Sequence, residues 1–153
     1  MVKLELKSSH ELATWMPDKK EHYIDERVMA GETADVARAM SESQFTELFP
    51  SGTPAEGQHV MNVLEDEEVV GTLWMGRPFS GGGSTWFIFD VEIVKDMRGR
   101  GLGRAAMEAA EEWTRERGGT RVALNVFGPN LAARSLYDSL GYEVLATSMF
   151  KDV

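Results

Sequence analysis

The sequence predicts an α/β (α+β) chain: a central twisted sheet, mixed but mostly antiparallel and of six to seven strands, flanked by about four helices. Three observations predict it. A β-branched apolar stretch, Trp86 to Val94, passes through a short polar turn into a glycine-spaced basic loop, Arg98-Gly99-Arg100-Gly101-Leu102-Gly103-Arg104, that opens a helix. A further strand follows that helix, so the two strands must be parallel and joined by a right-handed crossover. Upstream, apolar runs separated by short turns read as antiparallel hairpins. At 153 residues the chain is large enough for its own core and too small for two ordinary ones, so residues 1–153 form a single domain.

Taken in order, Val2, Leu4 and Leu6 alternate with Lys3, Glu5 and Lys7 as a strand does. Ser8-Ser9-His10-Glu11 is a capping box, Ser-x-x-Glu, opening a helix with Leu12, Trp15 and Met16 on one side. Pro17 lacks the N–H that a helix interior needs and is expected to kink or divide it. A second helical stretch carries Tyr23, Ile24, Arg27 and Val28 and stops near Gly31, and a third runs from a Thr33 cap through Val36, Met40 and Leu48. Phe49 to Pro54 is a loop. Gln58 to Leu64 and Val69 to Met75 read as strands joined by the acidic run Glu65-Asp66-Glu67-Glu68, a solvated hairpin turn.

Ser80-Gly81-Gly82-Gly83-Ser84 resembles a linker, yet a boundary there leaves neither half a complete core, so it reads as a flexible hairpin loop. The helix from about Leu102 carries Ala105, Ala106, Ala109, Ala110 and Trp113 on one stripe and ends at Gly118-Gly119 with Arg115 and Arg117 in its last turn. Thr120 to Phe127 is the next strand. Gly128-Pro129-Asn130 then leads into a helix with Leu136 and Leu140 that Gly141 stops, and Tyr142 to Phe150 reads as one bent strand or two short ones.

Composition narrows the function. With 42% hydrophobic and 27% charged residues the chain is globular. It contains no cysteine, which removes disulfide frameworks, cysteine-ligated zinc and a cysteine nucleophile together and agrees with a cytoplasmic setting. No metal site is expected. No apolar run reaches membrane-spanning length, so a membrane partner is not expected. A formal charge of −9 opposes general nucleic-acid binding, which rests on phosphate neutralisation, and suits a cationic substrate better.

Against that acidic background, residues 95–104 gather Lys95, Arg98, Arg100 and Arg104 against a single acid, Asp96. The first N–H groups of a helix have no intrahelical partner, and the macrodipole adds positive charge there, so the position attracts phosphate. Each charge-assisted hydrogen bond from an arginine to a phosphate contributes roughly 1.5–3 kcal/mol. Glycines at 99, 101 and 103 allow positive φ and close approach of an oxygen. Three phosphate-binding patterns compete. A P-loop needs lysine and then Ser or Thr after its last glycine, where Arg104-Ala105 stands, and is excluded. Gly101-Leu102-Gly103-Arg104-Ala105-Ala106 does satisfy the dinucleotide form G-x-G-x-x-A. However, the next strand does not end in an acid to hold a ribose, and too little chain remains for a doubly wound domain. The third pattern, [Arg/Gln]-x-x-Gly-x-[Gly/Ala], is met by Arg98, Gly101 and Gly103.

That third pattern resembles the acetyl-coenzyme A pyrophosphate loop of the GNAT family of N-acetyltransferases. A second stretch strengthens the likeness. Asn130, Ala133, Tyr137, Gly141 and Tyr142 meet every marked position of the family's N-x-x-A-x-x-x-Y-x-x-x-G-[FY] signature, so the resemblance covers residues 85–150 well and reaches residue 2 through the element order. It implies a GNAT-like fold and transfer of acetyl from acetyl-CoA directly to a primary amine, either of a small molecule or of a protein N-terminus or lysine. It also implies that the main chain at Val91, Ile93 and Val94 bonds the pantetheine arm and acetyl group. The stretch Arg98, Gly99, Arg100, Gly101, Leu102, Gly103 and Arg104 would take the pyrophosphate, Asn130 would contact the cofactor arm, and Tyr137 would protonate the departing thiolate. From the residues alone, Asn130 serves equally as a helix N-cap and Tyr137 as an amphipathic core residue.

An amine with a pKa near 10.4 is neutral in only a few molecules per ten thousand at pH 7, a handicap of about 4.6 kcal/mol, so a proton must be taken from it. Asp90 and Glu92 lie on one face of the central strand, and either is a candidate base acting through a water. His10, His22 and His59 have no such placement in the sequence. In some members of the family a glutamate on the following strand is the base; here that place falls on Asn125. The rival reading is a catalytically silent acyl-CoA sensor or interaction module on the same scaffold. Open sheet edges in so small a domain make a homodimer a further expectation.

Overall fold

A computed structural model describes residues 1–78 and 83–153. Strand β1 (Val2–Leu6) is followed by two helices, α1 (Ser9–Met29) and α2 (Ala34–Leu48), then by β2 (Gln58–Glu65), β3 (Glu68–Gly76) and β4 (Thr85–Ile93). A crossover helix, α3 (Leu102–Glu116), leads to β5 (Arg121–Leu124) and α4 (Leu131–Ser139). The strands lie in the order β1-β2-β3-β4-β5. The first three pairings are antiparallel and β4 with β5 is parallel, as the strand-helix-strand crossover requires. The sheet is therefore mixed and five-stranded among the described residues, which corrects the expected six to seven strands and mostly antiparallel sheet. The missing strands are those expected at Tyr142 to Phe150, where the chain joins no ladder.

Neighbouring residues on the strands face opposite layers. Met61 and Leu73 join Met107, Ala106 and Ala110 of α3, while Val60 and Trp74 join Leu12, Phe45, Leu48 and Phe49 beneath α1 and α2. Alternation at period two thus builds two cores, one on each face. Helix α3 buries Leu102, Ala106, Met107, Ala110 and Thr114 as one stripe, and its small alanines bring the helix backbone close to the sheet. Burying a side chain the size of Met107 contributes about 1.5–3 kcal/mol.

The Ser8 capping box is present, with Ser8 Oγ accepting from Glu11 N–H at 3.2 Å and Glu11 Oε2 accepting from Ser8 N–H at 2.7 Å. Donation to the carboxyl by the Ser8 N–H, and next by Asn62 Nδ2 at 2.9 Å, holds the Glu11 carboxyl down at about 2. Pro17 does not divide α1, which runs unbroken across it. The carbonyl that Pro17 leaves without an intrahelical donor belongs to Ala13, and both residues are exposed, where an unpaired carbonyl costs little. The acidic turn is a two-residue hairpin, Glu65 opposite Glu68, with Asp66 and Glu67 both at positive φ. The first three residues of the expected loop Ser80-Gly81-Gly82-Gly83-Ser84 lie outside the described residues.

Candidate functional site

The site starts from a defect in the sheet. Strand β4 pairs with β3 through a bulge, the register passing from Trp74↔Asp90 to Met75↔Ile88 and leaving Phe89 as the extra residue. On its other side β4 meets β5 only from Thr85↔Arg121 to Ile88↔Leu124. Beyond Ile88 the two parallel strands part. Strand β5 correspondingly stops at Leu124, short of the expected Phe127.

Ladder alternation decides which backbone groups face that opening. Val94 N–H donates to Val70 O at 2.9 Å, toward β3, and the Val94 carbonyl accepts from Met97 N–H at 2.9 Å. Groups on Val91 and Ile93 therefore point the other way, into the gap. The Ile93 carbonyl there accepts from Arg98 Nε at 2.8 Å.

At the end of the gap the chain makes a 3-10 turn, Lys95–Met97, and enters α3 through Gly101, whose φ of 80° is the left-handed conformation that an L side chain resists. Among the described residues no side chain caps this helix. Among the described residues no backbone acceptor serves the N–H groups of residues 99–104. A Cβ placed at Gly99 or Gly101 would meet nothing within 4 Å, so the loop's outer surface is open. Gly103 differs from the expectation: it lies inside the helix without a positive φ, and a Cβ placed there would meet Leu136 Cδ2 at 3.4 Å. The arginines hold the surroundings together, Arg98 lying 3.6 Å from Glu92, Arg100 3.2 Å from Glu65, and Arg104 bonded to Ser139 of α4. The first two guanidiniums remain more than half exposed. Unbonded amides, a helix N-terminus and exposed cations fit a diphosphate.

Asn130 caps α4, its side chain accepting from Ala133 N–H at 3.2 Å. Tyr137, about two turns further on, packs against the α3 core and against Tyr142. Its hydroxyl has no hydrogen-bond partner among the described residues. Burial, with the nearby charges of Asp90 and Glu26, pushes its pKa up to about 12. It is therefore held as the protonated phenol.

On the opposite face, Asp90 and Glu92 meet α1. Lys19, itself buried, places Nζ 2.8 Å from Asp90 Oδ1, 3.6 Å from Glu92 Oε2 and 3.3 Å from His22 Nδ1. Burial pushes the Asp90 carboxyl up while Lys19 pulls it down, and the second oxygen, Oδ2, is buried without a partner. Glu92 is half-exposed and lines an open cavity of about 640 Å3 with Trp15, Asp18, Lys19, His10 and His22. Glu26, pushed up mainly by burial, lies 3.8 Å from His22 Nε2.

The structure therefore brings Asp90, Glu92, the basic loop and Tyr137 around one opening in the sheet. The expectation for the histidines is corrected in part. His10 and His22 line the cavity, whereas His59 sits between Trp86 and Trp113, its pKa lowered chiefly by burial. Sequence reasoning missed Trp15, Lys19, His22 and Glu26. Their spacing of four, three and four on α1 puts them on one helix face, but only the fold shows that this face meets β4.

A mixed sheet parted between two parallel strands, with an uncapped helix N-terminus at the mouth of the gap, is an architecture suited to an extended, phosphate-bearing ligand. Residues 17–142 match the model of the acetyltransferase (GNAT) family, and the chain belongs to that family. Two relatives from Bacillus subtilis (strain 168), both named uncharacterized N-acetyltransferases, are similar over most of their lengths. YycN is 28% identical over 94% of this chain and 93% of its own, and YdgE is 27% identical over 87% and 86%. The crystal structure of YycN superposes with a TM-score of 0.90 at 27% identity, covering 100% of this chain and 99% of that one. An aminoglycoside N-acetyltransferase in complex with CoA shares the fold, with a TM-score of 0.61 at 14% identity, covering 100% of this chain and 95% of that one. Among the described residues no helix is long and apolar enough to cross a membrane.

Proposed function

We propose that this chain is an N-acetyltransferase that moves the acetyl group of acetyl-CoA directly onto a primary amine. The observation that carries the reading is the parting of β4 from β5 after Ile88 and Leu124, with the uncapped start of α3 at its mouth and Tyr137 and Glu92 nearby. Acetyl-CoA supplies an activated acetyl thioester and a diphosphate to hold it by. The amides of residues 99–104, with Arg98 and Arg100, are the groups on this chain that suit the diphosphate, and the main chain of Val91 and Ile93 suits an amide-bearing arm lying in the gap.

The acceptor is an amine from a small molecule, a protein N-terminus or a lysine, delivered through the cavity on the α1 side. Glu92 is the better placed of the two carboxylates to take its proton, since it lines the cavity whereas Asp90 lies under Lys19. Tyr137, kept protonated, is placed to deliver a proton to the departing thiolate. Asp90 and Lys19 then act by fixing the position and charge of Glu92. The names of the Bacillus relatives support the same reaction class.

Calorimetric titration with acetyl-CoA, followed by thiol release across a panel of diamines, amino sugars, amino acids and peptides, tests this reading. Saturable binding with amine-dependent thiol release is expected. Binding without release from any amine would reassign the chain as an acyl-CoA sensor, and absence of binding would overturn the loop assignment itself.

A further inference from the structure

Helix α1 crosses the sheet from β2 to β4. Glu11, Trp15 and Lys19, spaced by four, share one face of it. Glu11 Oε1 accepts from Asn62 Nδ2 of β2 at 2.9 Å, and Lys19 Nζ lies 2.8 Å from Asp90 Oδ1 of β4. At the rise of a helix, Glu11 and Lys19 stand about 12 Å apart. The sheet below gives a similar measure, because Asn62 lies opposite Thr72 and Thr72 opposite Glu92, a row that crosses roughly 10 Å from β2 to β4. That row faces α1, since Asn62 and Thr72 alternate in step with Val60 and Trp74, which pack beneath the helix.

The two ends of the cavity between these layers differ in charge. Glu92 lines one end, and Lys7 lines the other. The Lys7 ammonium donates to Asn62 Oδ1, a neutral acceptor, and forms no ion pair among the described residues. An ammonium has further N–H groups to place, and burial pushes this one's pKa down against the opposing pull of Glu11, as befits a cation short of counter-charge. Glu11 does not supply that charge directly, its two oxygens being engaged by Ser8 N–H and Asn62. Between the ends, Trp15 is held edge-on by Phe49 and Trp74 and gives the cavity an apolar wall. We propose that the acceptor is a free ω-amino acid, its primary amine at Glu92, its alkyl chain along Trp15 and its carboxylate on Lys7. The inference rests on the reading of the chain as an acetyltransferase. The amine nitrogen bonds the acetyl carbon as the C–S bond breaks, its proton passing to Glu92 while the thiolate takes the proton of Tyr137. A diamine of the same length brings a second ammonium against Lys7 and is disfavoured.

Thiol release from acetyl-CoA is compared for 6-aminohexanoate, hexylamine and 1,6-diaminohexane, which share one chain length. For the parent protein kcat/KM with 6-aminohexanoate is expected to exceed the other two at least ~10-fold, the order that one charge-assisted hydrogen bond supplies. Lys7→Met should abolish this preference, whereas Lys3→Met, on β1 and outside the cavity, should keep it. The three amines on the parent protein decide the matter even if Lys7→Met does not fold. Calorimetric titration with 6-aminohexanoate alone reads the carboxylate end without any transfer, and Lys7→Met should weaken that binding at least ~10-fold. Equal kcat/KM for the three amines would overturn the acceptor class and leave acetyl transfer standing. Lys7-dependent binding with no thiol release from any amine would support the carboxylate end and overturn the transfer reading instead. Absence of both the binding and the preference would overturn the proposal.

Discussion

Lys19 Nζ lies 2.8 Å from Asp90 Oδ1, and both side chains are withdrawn from water, 6% and 14% exposed. A lysine on the first helix and an aspartate on the central strand thus neutralise each other at the base of the candidate acceptor cavity. Removing one partner of such a pair strands the other charge in a poorly solvated place, which costs about 3–5 kcal/mol. Lys19→Met should therefore destabilise the chain by that amount, whereas Lys19→Met with Asp90→Asn should recover most of it. Chemical denaturation of the two single variants and the double variant measures the coupling, and additive losses would show that the pair is not coupled.

Because Lys19 occupies Asp90, the two acidic candidates separate. Glu92→Gln keeps the shape of the residue and removes its ability to accept a proton, so kcat for a primary amine should fall ~10²-fold at pH 7, the low end of the contribution of a positioned base. The deficit should shrink as the pH approaches the pKa of the acceptor amine, near 10.4 for a lysine-like group, because free amine then needs no base. A pH-rate profile of both proteins checks this. A deficit that does not change with pH would assign Glu92 to binding the acceptor.

The contrast between these residues and the loop shows what a linear sequence discloses. The strand, basic loop and α3 were legible because all their signals are local: β-branched residues, glycine spacing and an alanine stripe. The parallel β4–β5 pairing followed from connection geometry. Lys19 and His22 were not legible as site residues, since their meaning depends on α1 lying over β4, a contact across about seventy residues of sequence. Pro17 shows the reverse: of the expected kink or division, the division does not occur, at a place where Ala13 and Pro17 are both exposed. Tyr142 to Phe150 is a third case: the residues have strand propensity, but propensity names no partner, and no strand forms there.

Gly101 carries the turn into α3 at a φ of 80° with open space where a side chain would go. Gly101→Val places a β-branched residue in that conformation, costing about 1–3 kcal/mol of backbone strain, and projects a branched group beside the unbonded amides. Thermal unfolding should remain cooperative at a lowered Tm, while acetyl-CoA affinity measured by calorimetry should fall at least ~10²-fold. Gly103→Ala is the control, since that residue has helical φ and a neighbour at ordinary contact distance; it should bind nearly as the parent does. Equal affinity in all three proteins would remove the loop from the cofactor site.

Tyr137 has a hydroxyl without a hydrogen-bond partner among the described residues and a pKa pushed up to about 12, chiefly by burial and then by the charges of Asp90 and Glu26. Two consequences follow from the sign of that shift. In the unfolded chain a tyrosine ionises near 10, so between pH 10 and about 12 the folded state binds more protons than the unfolded one and stability falls as the pH rises. Tyr137→Phe abolishes its share of that loss, flattening the alkaline limb of a stability-pH curve. In catalysis, the same shift keeps the phenol a proton donor throughout the range in which amines are acetylated. Tyr137→Phe should accordingly lower kcat by up to ~10²-fold with acetyl-CoA affinity nearly unchanged, a modest factor because a thiolate leaves readily without help. Steady-state kinetics paired with calorimetry decides the matter. A kcat equal to that of the parent protein would confine Tyr137 to packing against Tyr142 and the α3 core.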